Sequence, residues 1–134
     1  MTLGAVIATR ELTIHGPKGA RRVVLRIGKP RRQGTGAWAC PFRIAGLGRQ
    51  GVDRAYGEDA VQALQLALEV IRIQLDTSER SVTWLGLPVA VAFPRQILSG
   101  DVTLAVRLTR LVDREVIRWT RERSRRQARR RSPH

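Results

Sequence analysis

Cysteine is almost missing from this 134-residue chain: Cys40 stands alone, so no internal disulfide can form and nothing points to an oxidising compartment. Histidine is as scarce. His15 lies beside a turn and His134 is the last residue, and neither has a spaced cysteine or histidine to complete a zinc site. No metal and no cofactor is expected. Long apolar runs are also wanting. None approaches the eighteen residues of a membrane span, and the run from Leu3 to Ala8 is cut by Arg10 and Glu11, too soon for a signal peptide. A cytoplasmic protein that meets no membrane is the expectation.

Catalytic pairs are lacking as well. Cys40 falls on the apolar side of a strand pattern, where it serves as a small core residue. Glu58 and Asp59 open a helix, where carboxylates complement the macrodipole. The chain is expected not to be an enzyme. Lysine is reduced to Lys18 and Lys29, yet 25 basic residues face 11 acidic ones, for a net charge of +14. Such a surplus attracts polyanions or acidic surfaces, and arginine suits them because its planar fork donates two parallel hydrogen bonds.

What is present is a folded body. Hydrophobic residues make up 43% of the chain, enough for a real core at this length. The pattern predicts one α+β domain over residues 1–120 and an arginine-rich tail over 121–134. The first third alternates as strands. In residues 6–14, Val6, Ala8, Leu12 and Ile14 share one side. In 22–27, Val23, Leu25 and Ile27 oppose Arg22 and Arg26. In 38–44, Trp38, Cys40, Phe42 and Ile44 oppose Ala37, Ala39 and Arg43. Short connections, with a turn at 16–19 and a basic loop at 29–36, favour an antiparallel sheet covered on one face only.

Residues 58–76 form the clearest helix. Glu58, Gln62, Gln65, Glu69, Arg72 and Asp76 make one narrow polar stripe on a helix otherwise apolar. Such a helix needs cover beyond the sheet, assigned here to Leu104, Leu108, Leu111 and Val112 of a second helix, or to another subunit in a homo-oligomer. Residues 81–85 read as a fourth strand. Residues 88–93 alternate alanine with Val89, Val91 and Phe93, as a fifth strand or an apolar loop. The second helix runs from about Asp101 through Trp119. The fold expected is α+β: an antiparallel sheet of three to five strands packed on one long helix, with an appended C-terminal helix and basic tail.

Gly46-Leu47-Gly48-Arg49-Gln50-Gly51 matches G-x-G-x-x-G. The helix begins too late and the strands look antiparallel, so a flexible glycine loop is the better reading than a dinucleotide site. The arginines say more. Arg107, Arg110, Arg114, Arg118, Arg121, Arg125 and Arg129 recur at spacings of three and four, one stripe roughly 33 Å long if the helix continues. A second cluster puts Arg22, Arg26 and Arg43 on the uncovered sheet face, with Arg31 and Arg32 in the adjoining loop. These twelve arginines are the expected polyanion-binding residues. DNA or RNA is the expected partner; the alternative is an immunity-like or adaptor protein that binds an acidic protein.

The run Cys40-Pro41-Phe42-Arg43-Ile44, the run Ala55-Tyr56-Gly57-Glu58-Asp59-Ala60-Val61-Gln62-Ala63-Leu64-Gln65-Leu66-Ala67-Leu68, then Trp84-Leu85-Gly86 and Phe93-Pro94-Arg95, resemble a family of small bacterial proteins classed as a domain of unknown function. The YG-x-D-A-x-Q-A-L-x-L-A-L run is the most specific part. The likeness covers roughly residues 5 to 97 and implies a bacterial cytoplasmic protein, with no activity attached.

Overall fold

The turn at 16–19 reverses the chain between β1 (Val6–Gly16) and β2 (Gly19–Gly28), which pair antiparallel from Gly16↔Gly19 to Val6↔Gly28. Gly19 takes φ +110°, open to glycine and strained for other residues. The computed structural model describes residues 1–48, 50–97 and 100–132. Arg31 and Arg32, expected in a loop, form the two-residue β3 (Arg31–Arg32) on β4 (Trp38–Ala45). β5 (Asp53–Gly57) also pairs β4 antiparallel. After α1 (Ala60–Asp76) come β6 (Ser81–Trp84), on the end of β1, and β7 (Leu87–Pro88). The sheet thus has seven strands in the order β3-β4-β2-β1-β6-β7, with β5 on β4. That exceeds the three to five expected, because β3, β5 and β7 are too short to leave a periodic pattern.

Alternation decides the core. Leu12 and Ile14 of β1, Val23, Leu25 and Ile27 of β2, and Cys40, Phe42 and Ile44 of β4 are buried on the face that meets α1. Val6 and Ala8, expected on the same side, are exposed. α1 answers with Ala63, Ala67, Ile71 and Leu75, all buried at i, i+4 spacing. Alanine at 63 and 67 lets the helix lie close, and Gly57 permits it: a Cβ there would overlap the Ala63 nitrogen. Burying each larger side chain contributes about 1.5–3 kcal/mol.

Asp59 caps α1. Its carboxylate accepts from Gln62 N at 2.8 Å, and the Gln62 side chain accepts from Glu58 N at 2.7 Å, a reciprocal arrangement that satisfies two end donors. Residues 89–92, read as a strand or loop, form the short helix α2 (Val89–Ala92), with Val89 and Ala92 turned inward. α2 and the segment after it supply the second cover for α1: the Gln96 N–H donates to Glu69 Oε2 at 3.1 Å. Leu104, Leu108, Leu111 and Val112, to which the sequence assigned that cover, belong to α3 (Val102–Arg131) in the second of two compact units.

The chain divides into two compact units, Met1–Gln96 and Ile97–His134. The second consists mainly of α3 (Val102–Arg131), capped by Asp101, whose carboxylate accepts from Leu104 N at 3.0 Å. At 1.5 Å per residue its 30 residues extend roughly 45 Å, and none of them is buried. No helix of the described residues is long and apolar enough to cross a membrane.

Candidate nucleic-acid interface

The sheet face away from α1 collects the residues that alternate with the core. Strand register fixes their neighbours. Arg26 of β2 stands directly opposite Arg43 of β4 and, on its other side, opposite Thr9 of β1. On β5, Arg54 faces Pro41 and Tyr56 faces Ala39, which puts both on this face. Arg26, Arg43, Arg54 and Tyr56 are exposed, Tyr56 at 52%. The Arg54 guanidinium lies 6.0 Å from the Tyr56 ring centroid. Between the strands, Arg26, Arg43, Ala45, Gly46 and Gln50 line a shallow hollow of about 430 Å³.

Like charges directly opposite on neighbouring strands are destabilising. Among the described residues, neither Arg26 nor Arg43 has a carboxylate partner. Arg22 differs, because Glu11 accepts its guanidinium in a salt bridge. Arg31 differs again. Its side chain donates to the Thr2 carbonyl and its Nε is buried without a partner, so it serves the N-terminal segment. Arg32 is exposed. The sequence reading placed Arg22, Arg26 and Arg43 on one face and missed Arg54 and Tyr56. Residues 53–57 carry little sequence signal, because the buried residue between the two, Ala55, is too small to mark an alternation.

On α3 all seven stripe arginines, Arg107, Arg110, Arg114, Arg118, Arg121, Arg125 and Arg129, are exposed. The helix reaches Arg131, so the stripe is continuous rather than ending in a coil. Arg118 pairs with Glu115 at 2.7 Å, and the Arg123 guanidinium lies 5.3 Å from the Trp119 ring centroid. Arg129, Arg130 and Arg131 fill the last turn, where the helix macrodipole favours positive charge.

Among the described residues, no group of three or more His, Cys, Asp or Glu could hold a metal ion. His15 Nε2 lies 2.9 Å from Thr83 Oγ1. The glycine motif joins the antiparallel strands β4 and β5, and no helix begins in it, which removes the βαβ context that a dinucleotide site needs. His134 and Arg49 lie outside the described residues.

Fold and surface together define an α+β domain with one sheet face covered by α1 and an opposite face that exposes Arg22, Arg26, Arg43, Arg54 and Tyr56 but is covered at Gly28 and Pro41, where Leu3 lies close. Residues 8–95 match the family described as "Domain of unknown function (DUF6968)", and the chain belongs to that family. No curated protein and no solved structure matches it.

Proposed function

We propose that the protein is a non-enzymatic binding module that holds nucleic acid through arginine–phosphate contacts with the exposed arginines of the sheet face away from α1 and along α3. One observation carries the reading: Arg26 opposes Arg43 with no carboxylate partner for either among the described residues, and Arg54 and Tyr56 stand on the same face. A phosphate between two such guanidiniums removes their repulsion, and an exposed aromatic ring offers a base a surface to stack on. α3 adds eleven arginines against three carboxylates. Its contribution is non-specific affinity, since phosphate contacts carry no sequence information. Cytoplasmic residence, in keeping with the single cysteine, belongs to the same proposal.

The test is binding of labelled duplex DNA and RNA at two salt concentrations. The logarithm of affinity should fall against log salt by about 0.9 for every duplex phosphate contacted. Replacing Arg26 and Arg43 together by alanine should lower that slope by about 1 to 2 while leaving the fold intact. Removal of residues 121–134 should lower slope and affinity alike for every sequence. A full-length chain that binds neither polymer near about 50 mM salt overturns the proposal and directs attention to an acidic protein partner.

A further inference from the structure

Arg10 sits on the other face of the sheet, opposite Leu25, where a core residue would be expected. Its guanidinium lies 4.3 Å from the Trp84 ring centroid and 5.0 Å from that of Phe93, and one N–H donates to the Ala92 carbonyl. Among the described residues no carboxylate pairs with it. One of five N–H donors is thus engaged, and the group is held rigid by two aromatic rings. Beside it opens a cleft of about 310 Å³. Leu25, Ile27, Leu68 and Phe93 supply apolar walls, and Ala8 and Thr9 form one lip. That volume stands at the lower end of the range for ligand sites. It suits one apolar side chain with its carboxylate.

The same lip is a free sheet edge. β1 pairs with β2 along its length, whereas β6 pairs only with Thr13, Ile14 and His15. Among the described residues, 6–12 therefore have no ladder on that side, and Val6, Ile7, Ala8 and Thr9 are all exposed. The register shifts between Val6 and Ala8, an irregularity of the sort that limits indiscriminate edge pairing without closing the edge. An open edge offers main-chain hydrogen bonds, an apolar cleft beside it selects a side chain, and an unpaired arginine at its end selects an anion.

We infer that this edge and cleft bind the C-terminal residue of an extended peptide from a partner protein. An apolar terminal side chain enters the cleft, the terminal carboxylate meets Arg10, and the preceding residues run parallel to β1 along residues 6–9. The site is independent of the arginine face, because Arg10 projects from the opposite side of the sheet.

The experiment uses the full-length protein and an acetylated pentapeptide, Ser-Thr-Val-Ser-Leu, with a free C-terminus, followed by amide NMR and hydrogen exchange. Binding should shift the amides of residues 6–10 and slow exchange along β1. The C-terminal amide of the same peptide should bind about tenfold more weakly, as expected for loss of a charge-assisted pair. 4-Methylpentanoate, which carries the side chain and carboxylate alone, should not slow exchange along β1. R10K, which keeps the charge and loses the fork, should weaken the free-acid peptide several-fold. If R10K fails to fold, L68F supplies the check, since the larger ring fills the cleft from α1 and should block binding with Arg10 in place. Equal affinity for acid and amide overturns the inference, as does an absence of binding at about 1 mM peptide. So does protection of β1 that rises with protein concentration in the absence of peptide, which would make a second copy the occupant. Competing duplex DNA should leave peptide binding unchanged.

Discussion

The Cys40 thiol lies inside β4 with its sulfur 3.8 Å from the Gly28 carbonyl, and burial pushes its pKa up to about 11. An unfolded thiol ionises near pH 8.5. Between those values the unfolded chain has lost a proton that the folded chain keeps, so stability is full below the window and falls as pH rises through it. Cys40→Ala should flatten that alkaline decline, as measured by urea unfolding at a series of pH values. The native thiol should also resist alkylation until the domain opens. Ile71 is fully buried, and Ile71→Ala should cost about 2–5 kcal/mol. Leu68, part-buried beside the cleft, should cost less than Ile71 on the same truncation, which a pair of denaturation curves can rank.

Among elements, α1 carries an ion network on its own surface. Arg72 binds Glu69 at 2.6 Å and Asp76 at 2.8 Å, and the Gln96 N–H adds a bond to Glu69. The Arg72 hydrogen bond, helped by that from Gln96, holds the Glu69 pKa below its ordinary value. A depressed carboxylate pKa gives stability that is present above the unfolded value, about 4.3, and is lost as pH falls through the folded one. Glu69→Gln should therefore destabilise the protein at neutral pH and lessen its acid sensitivity, read from melting temperatures at the two pH values. The sequence revealed this helix because Glu58, Gln62, Gln65, Glu69, Arg72 and Asp76 recur every three or four residues in an otherwise apolar segment. It revealed β2 and β4 because Val23, Leu25 and Ile27, and Cys40, Phe42 and Ile44, alternate with polar or small residues. It concealed β5, whose inward residue of note is Ala55, too small to mark a period. Residues 89–92 misled because Val-Ala alternation over four residues fits two periods, and the buried pair Val89 and Ala92 obeys the helical one. The arginine face was legible by parity. Arg10 was not, since its value lies in Trp84 and Phe93, more than seventy residues away in sequence.

At the scale of the whole molecule, the first unit has a buried core of its own, and no residue of α3 is buried. Residues 1–97 alone should keep the cooperative thermal transition of the full chain, monitored by far-ultraviolet circular dichroism. A shift of many degrees would show that α3 contributes to the folded body. The aromatic residues divide along the same boundary. Trp38, Trp84, Tyr56, Phe42 and Phe93 belong to Met1–Gln96, which leaves Trp119 as the sole aromatic of Ile97–His134. Each unit therefore contains its own indoles: Trp38 and Trp84, part-buried, in the first, and Trp119, exposed beside Arg123, in the second. Replacing Trp38 and Trp84 by phenylalanine would leave one indole, whose emission, excited at the red edge of indole absorption where Tyr56 does not absorb, follows α3 alone.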